Sequence, residues 1–249
     1  MNSFMKHVRA FLLSILGLRR YLQLISAVYI HFVTKGFWKK KYPELFYLDS
    51  IITEGNVCID IGANLGYYST RLARLVGSTG KVYAVEPIPL FGDIWIKNVK
   101  PEQNQQVILL PFALGKEKGT VQMGMPTKNG RLHHGMTKIA SSAQEQYVHM
   151  FDVIMQNPDE LFADIPALDF IKCDVEGYES EVFDNMKHTI SRFRPLVQTE
   201  LSGNKNRQHV IDFFISHNYS CAVLQNNLLI PISKNDAMKY SQDFYFIPK

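Results

Sequence analysis

Three acidic side chains are the residues of this chain best placed to do chemistry: Asp174, Glu176 and Glu200. The first two follow the apolar run 168–173, and the third follows 195–199. Acids just beyond buried strands sit at the strand mouths, where open α/β sheets bind ligands. Such a carboxylate can take a proton from an acceptor hydroxyl. Two or three can hold a divalent cation that orients the acceptor and lowers its pKa. They can also simply accept hydrogen bonds from sugar hydroxyls. Asp174 is favoured as the acceptor-site carboxylate, with Glu176 and Glu200 next. The divalent metal is not favoured, because the spacing shows no ligand cluster, and no metal ligand is assigned. Around these acids, Gly177 suits a turn, Lys172 can pair with an acid, and Glu179 is assigned to capping the next helix.

The donor that such acids would work beside is suggested by a second stretch, Asp60-Ile61-Gly62-Ala63-Asn64-Leu65-Gly66. A short apolar run, Val57 onward, ends in an acid, turns through two glycines and enters a helix-forming segment. This is the opening of a βαβ unit. Glycine lets the turn close and lets a ligand approach the backbone. The helix N-terminus offers unpaired N–H groups. A dinucleotide fingerprint would read G-x-G-x-x-G, whereas the spacing here is G-x-x-x-G, which disfavours a nicotinamide oxidoreductase. No Lys or Arg lies between 57 and 68, so a pyrophosphate has no counter-charge. Strand 81–85 ends at Glu86, placed to accept hydrogen bonds from both ribose hydroxyls of a nucleoside. S-adenosylmethionine (SAM), with a ribose, a carboxylate and a sulfonium but no phosphate, suits this turn better than NAD. The expected cofactor-binding set is Asp60, Gly62, Ala63, Asn64, Gly66 and Glu86. Tyr67 and Tyr68, at the start of the helix, default to packing.

Both stretches need a scaffold of alternating strands and helices. After a lead-in helix over 43–53 come strand 57–61, helix 67–76, strand 81–85, a helix ending near 99, and strand 107–110. Residues 116–119 read as a hairpin turn between short strands. Residues 126–146, with Arg131, His133 and His134, break the rhythm as an insertion near the C-terminal strand ends. The histidine pair can touch substrate, but solvent exposure is the favoured reading. Structure resumes over 148–154, with a helix through 160–161 and Asp152 as a helix cap. Strand 168–173, helix 178–189, strand 195–199, helix 206–217 and strands 219–224 and 244–247 follow. The three cysteines, Cys58, Cys173 and Cys221, fall in strands without metal-ligand spacing and read as buried thiols in a reducing compartment.

Three blocks carry a family resemblance: Asp60 to Gly66; Glu86-Pro87-Ile88-Pro89; and Ile171-Lys172-Cys173-Asp174-Val175-Glu176-Gly177-Tyr178-Glu179, preceded by Asp169-Phe170. Ala113-Leu114-Gly115 and the closing block from Asp243 to Pro248 agree. The chain resembles FkbM-type SAM-dependent methyltransferases over about residues 50–249. The resemblance implies a Rossmann-like, doubly wound α/β sheet of seven strands, as in class I methyltransferases, with a helical extension at the N-terminus. It adds Ala113 and Leu114 to the cofactor-binding set. It implies O-methylation of a hydroxyl on a sugar, glycan, glycolipid or natural product. The alternatives are a non-catalytic SAM-binding partner in a biosynthetic complex, or an N- or RNA-methyltransferase. The latter is disfavoured because no N-P-P-Y-type motif is present.

Charge divides the chain into an extension, 1–50, and a methyltransferase domain, 51–249. Residues 1–43 contain eight basic and no acidic residues, leaving nineteen basic against twenty-three acidic residues in the remainder. A mildly acidic body does not suit a nucleic-acid binder. The apolar runs 10–18 and 21–33 are split by Arg19-Arg20, and neither alone reaches a bilayer span. Phe11, Leu12, Ile15, Leu18, Leu22 and Ile25 recur at helical spacing. Two readings stand: an interfacial helix on an anionic membrane, with Lys39-Lys40-Lys41 as a second contact, or a helix packed on the domain. The expected location is cytoplasmic, with peripheral contact at the inner membrane surface through residues 1–41.

Overall fold

The computed structural model describes residues 3–99, 106–128, 131–132, 134–140 and 147–249. Strands β1 (Val57–Ile61), β2 (Lys81–Val85) and β3 (Val107–Leu110) open the parallel layer. Strands β4 (Ala113–Leu114), β5 (Gly119–Lys128), β6 (Arg131–Leu132), β7 (Lys138–Ile139) and β8 (Tyr147–Gln156) form a second, smaller sheet. Strands β9 (Phe170–Cys173) and β10 (Leu196–Thr199) return to the main sheet, and β11 (Tyr219–Gln225), β12 (Leu228–Pro231) and β13 (Phe244–Pro248) complete it. The main sheet runs β12-β11-β13-β10-β9-β1-β2-β3. The five strands from β10 to β3 are parallel, and β13, β11 and β12 are antiparallel to their neighbours.

Burial on both faces dictates this layer. All five residues of β1 and all four of β9 are buried, as central parallel strands require. Alternate residues enter different cores. Ile59 and Ile61 join Ile171, Val197, Phe183 and Phe214 on one face. Cys58 joins Val82, Ala84, Leu72 and Trp95 on the other. The helices that cover these faces are α1 (Ser3–Thr34), α2 (Pro43–Ile51), α3 (Tyr67–Leu75), α4 (Pro89–Asn98), α5 (Pro158–Leu161), α6 (Glu179–Asp184), α7 (Lys187–Phe193), α8 (Asn204–Ser216) and α9 (Lys234–Ala237). All three cysteines are buried free thiols.

Several expectations change. Among the described residues the main sheet has eight strands, where seven were expected. Asn226 and Asn227 take φ of 50° and 60°, and Gln225 pairs with Leu228. Two successive left-handed residues make a two-residue hairpin turn that returns the chain as the extra edge strand β12. Residues 116–119 do not join a hairpin. β8 lies between β4 and β5, with Met155 facing Ala113 on one side and Gly119 on the other. Asp152 is no helix cap: it lies within β8, where its Oδ1 accepts from Gln122 Nε2 at 3.1 Å. The helix expected over 178–189 is two helices, α6 and α7, separated at Asn185-Met186. The described part of the 126–146 insertion is built into the small sheet; His133 lies outside the described residues.

Helix α1 runs through Arg19-Arg20, with a non-helical Gly17 (φ 69°, ψ 168°) at its kink. By length and composition alone the stretch His7–Thr34 could cross a membrane, although each apolar run taken singly is too short. One face is nonetheless packed on the α/β unit. Tyr21, Leu22, Ser26 and Val33 are buried. Arg19 pairs with Asp93 on α4. Asn98 Nδ2 donates to Ser26 Oγ at 2.9 Å and to the Leu65 carbonyl at 2.7 Å.

The order of strand connections reverses between the parallel strands β1 and β9, and there the two exits nearly touch. Gly62 has φ +80°, and a Cβ on it would lie 1.9 Å from the Asp174 carbonyl oxygen. The adjacent backbone is paired, with the Asp174 N–H donating to the Ile61 carbonyl at 3.0 Å. Replacing Gly62 with alanine combines a forbidden contact with a strained φ. The expected loss of stability is about 2–4 kcal/mol, read from denaturant unfolding. A loss under about 1 kcal/mol would mean that the exits can separate freely.

Candidate active site

A cavity of about 430 Å³ opens at the C-terminal ends of β1, β2, β9 and β10, a size suited to a cofactor or small ligand. Loop 62–66, Glu86, Ile88, Phe91, Ala113 and Leu114 wall one half. Asp174, Glu176, Glu200, Lys172, Asp243 and Tyr68 wall the other. Every site residue expected from the sequence except Gly66 lines this one space; Gly66 is buried at the base of the loop.

In the first half, Asp60 is 2% exposed at the end of β1. Its Oδ2 accepts from Ser69 Oγ at 2.6 Å, and that oxygen accepts from Trp95 Nε1 at 2.8 Å. Burial pushes the Asp60 pKa up to about 6, against the Ser69 hydrogen bond. Glu86 is 5% exposed. Its Oε2 accepts from the Asn64 N–H and its Oε1 from the Ile88 N–H, both at 2.8 Å. Burial raises its pKa to about 7 in spite of these bonds. Glu86 was expected to serve ribose hydroxyls alone. It also anchors the glycine loop, and each carboxylate oxygen keeps a lone pair for a ligand. Asn64 takes φ 49°, and its buried Oδ1 has no partner among the described residues.

The glycines divide their work differently from the expectation. Gly62 serves the approach of the Asp174 carbonyl. Gly66, at φ +89°, precedes the first turn of α3, and a Cβ there would sit 3.1 Å from the Trp95 ring. Both are demands of packing as much as of a ligand.

The second half is organised by Lys172, which is 2% exposed. Its Nζ lies 3.2 Å from Asp243 Oδ2, 3.9 Å from Asp174 Oδ2 and 5.1 Å from the Tyr68 ring centroid. Burial alone would lower its pKa, but Asp243, Asp174 and Tyr68 outweigh burial and keep the ammonium charged. Gln198 Nε2 donates to Asp243 at 2.7 Å and to the Tyr68 hydroxyl at 3.0 Å. Asp174 faces the cavity with 35% of its side chain exposed. Burial raises its pKa, opposed by Lys172. Glu176 sits at a left-handed φ of 54°. Burial, then Asp174 and Glu200, push its pKa up to about 7. Glu200 is raised by burial and then by Asp174.

Glu179 staples this acid loop rather than capping its own helix. Its Oε1 accepts from the Val175 N–H at 3.0 Å and the Gly177 N–H at 3.1 Å, and its Oε2 accepts from Asn206 Nδ2 at 2.6 Å. Tyr67 and Tyr68, expected only to pack, line the cavity, as does His134, which was assigned to solvent. Sequence reasoning missed Tyr29, Tyr42, Glu44, Gln198 and Asp243. The signal for Gln198 was a polar residue inside an apolar strand. Asp243 opens the closing block 243–248, whose local sequence carries no sign of a role in the site. Among the described residues, no group of three or more His, Cys, Asp or Glu side chains could hold a metal ion.

The electrostatics select the ligand. Seven carboxylates line the cavity (Glu44, Asp60, Glu86, Asp174, Glu176, Glu200 and Asp243), and Lys172 is the one Lys or Arg among the described lining residues. A pyrophosphate would meet the Asp60 and Glu86 carboxylates in the first half, with no Lys or Arg among the described lining residues there to balance it. A sulfonium with an ammonium group would meet acceptors, including the unpartnered Asn64 oxygen. The residues therefore fit SAM.

A parallel, doubly wound sheet, closed by an antiparallel β13 between β10 and β11 and bearing its site at the β1–β9 reversal, is the class I methyltransferase architecture. A crystal structure of Methyltransferase FkbM from Methylobacillus flagellatus KT shares the fold, with a TM-score of 0.52 and 14% identity over 78% of this chain and 44% of that one. The Methyltransferase FkbM domain family matches residues 60–221, and the chain belongs to that family. Two curated relatives match locally. Protein-L-isoaspartate O-methyltransferase of Methanocella arvoryzae is 46% identical over 43 residues, which are 17% of this chain and 23% of that protein. Its counterpart in Methanococcoides burtonii is 43% identical over 49 residues, 20% and 24%. The match thus spans about a quarter of either curated relative.

The raised acids set a pH dependence. A carboxylate charged near pH 4.3 when unfolded, but only near 7 when folded, holds more protons in the folded chain between those values. Its contribution to stability is full below the unfolded pKa and is lost as pH rises through the folded one. The ligand-free chain should therefore lose stability from about pH 4.5 to 7, through Glu86, Glu176 and Asp60. Glu176→Gln should flatten part of that slope in denaturant titrations at successive pH values. An unchanged slope would show that Glu176 is solvated.

Proposed function

We propose that the chain is a SAM-dependent O-methyltransferase that transfers a methyl group to a hydroxyl of a sugar, glycan, glycolipid or natural-product acceptor. One observation carries the reading: a phosphate-averse donor loop and a cluster of proton-accepting carboxylates share one cavity across Gly62 and Asp174. When bound, SAM supplies an activated methyl group on a positively charged sulfur.

The residues of the chain then have distinct tasks. Asn64, Ala63 and the N-terminus of α3 hold the amino-acid end, Glu86 holds the ribose, and Ala113 and Leu114 pack beside the base. Asp174 accepts a hydrogen bond from the acceptor hydroxyl and takes its proton. Glu176 and Glu200 orient further hydroxyls of a polyol. Lys172 holds Asp174 in place and opposes the rise that burial imposes on its pKa. In-line displacement of a good leaving group draws much of its rate from orientation, which this fixed loop provides. Membership of a methyltransferase family with every donor-loop residue in place favours catalysis over a purely SAM-binding role. The acidic cavity disfavours RNA, whose phosphates it would repel.

The same reading places the enzyme in the cytoplasm, in peripheral contact with the inner membrane surface through residues 1–41, where a lipid-linked acceptor would be held. No metal is assigned to the reaction.

Two measurements test the assignment. Glu86→Ala should weaken SAM binding about tenfold or more in calorimetry, in keeping with the loss of a charge-assisted hydrogen bond. Asp174→Asn should leave SAM affinity within about threefold while lowering transfer of labelled methyl groups into a glycan or lipid extract by roughly a hundredfold. Equal loss of binding and turnover would move Asp174 into the cofactor site. Binding of NAD in preference to SAM would end the proposal.

A further inference from the structure

The N-terminal helix has a second face that the domain does not cover. Before the kink at Gly17, Phe11 is 62% and Ile15 63% exposed. After it, Leu24, Val28 and Phe32 stand at intervals of four residues and are also exposed. The turn that follows adds exposed Phe37 and Trp38. Seven of the fifteen large apolar side chains exposed among the described residues thus fall between positions 11 and 38. Isolated surface apolar residues need no explanation, but a concentrated set does.

The charge that this segment itself contributes has one sign. Arg20, Lys35, Lys39, Lys40 and Lys41 are all exposed, and the first acidic residue of the chain is Glu44. Apolar and aromatic side chains beside lysines with no interspersed acid match the boundary of an anionic bilayer, where rings enter the interface and cations meet headgroups. A second copy of this chain would instead bring the same positive charge against itself.

The patch is joined to the cavity by a chain of rings. Phe32 lies 5.4 Å from Phe37 and 5.5 Å from Trp38 between centroids. Trp38 stacks on Tyr29 at 5.6 Å. Tyr29 in turn meets Tyr67 at 4.7 Å and Tyr42 at 5.2 Å, and all three tyrosines line the cavity. The same helix therefore offers one face to the surroundings and walls the candidate active site with another.

We propose that the exposed face of α1, with Phe37, Trp38 and Lys39 to Lys41, is a docking surface for anionic lipid bilayers, seated next to the cavity. The inference deepens the membrane contact in the function proposed above and rests on it for the acceptor, but lipid docking itself requires no methyl transfer.

The experiment is co-sedimentation of the full chain with phosphatidylcholine vesicles, with and without phosphatidylglycerol. The chain should bind the anionic vesicles, release with added salt, and bind pure phosphatidylcholine far less. Its emission should shift to the blue, because Trp95 is already buried and Trp38, the other of two tryptophans, is not. Lys39→Gln, Lys40→Gln and Lys41→Gln together should weaken binding on the order of a hundredfold. Phe11→Ser and Trp38→Ser, made separately, should each weaken it roughly tenfold. Phe11 belongs to none of the core clusters, so it reports on docking even where Trp38→Ser perturbs folding. Circular dichroism and SAM affinity should be unchanged in the lysine and Phe11 variants. Absence of vesicle binding at low salt, equal binding to both vesicle types, or wild-type binding by Phe11→Ser overturns the proposal. So does a concentration-dependent dimer that buries Trp38 without lipid. Failure here leaves methyl transfer standing, and failed SAM binding leaves lipid docking standing.

Discussion

The contact between the Gly62 backbone and the Asp174 carbonyl is the constraint on which the site depends. It brings the exits of β1 and β9 closer than any side chain permits. The loop after β1 and the acid loop after β9 wall the two halves of one cavity, and this contact, with the parallel pairing of β1 and β9, sets them side by side. Left-handed conformations at Gly62, Asn64 and Gly66 on one side, and at Glu176 and Gly177 on the other, bend both loops into the cavity. Strained residues of this kind persist where surrounding structure over-determines them. Here Glu86 ties down the first loop through the Asn64 N–H, and Glu179 ties down the second through the N–H groups of Val175 and Gly177.

Charge then differentiates the two halves. Lys172 balances part of the acid cluster and is held by Asp243, Asp174 and the face of Tyr68. A lone buried lysine would tend to lose its proton, and isolated buried carboxylates would gain one. Together they keep charge inside the fold, with carboxylate pKa values raised above those of free side chains. A site poised in this way favours a cationic ligand and hydroxyl donors, and repels phosphate.

The N-terminal segment lies outside residues 60–221, where the family matches, yet it supplies Tyr29, Tyr42 and Glu44 to the cavity. The donor half is thus built from family blocks, and part of the opposite wall from the extension. The buried face of α1, through Leu22, Ser26 and Arg19, joins the extension to α4 and to the donor loop.

Sequence alone determined the alternating strands, the donor loop and the acid block, because each is local. β1 and β2 begin and end where apolar runs and glycine turns put them, and Asp60, Gly62, Ala63, Asn64, Glu86, Asp174, Glu176 and Glu200 do converge on one cavity. Turn chemistry too fine for composition hid the eighth strand, which hangs on two asparagines at positive φ. Only the tertiary structure decided which partners complete the site. Gln198, Asp243 and Tyr68 meet Lys172 from positions 26, 71 and 104 residues away, so no local pattern could join them. The same holds for the roles of Gly62 and Glu179. A glycine in a turn and an acid at a helix start have several local explanations. The carbonyl facing one, and the loop amides bonded to the other, exist only once β1 lies beside β9.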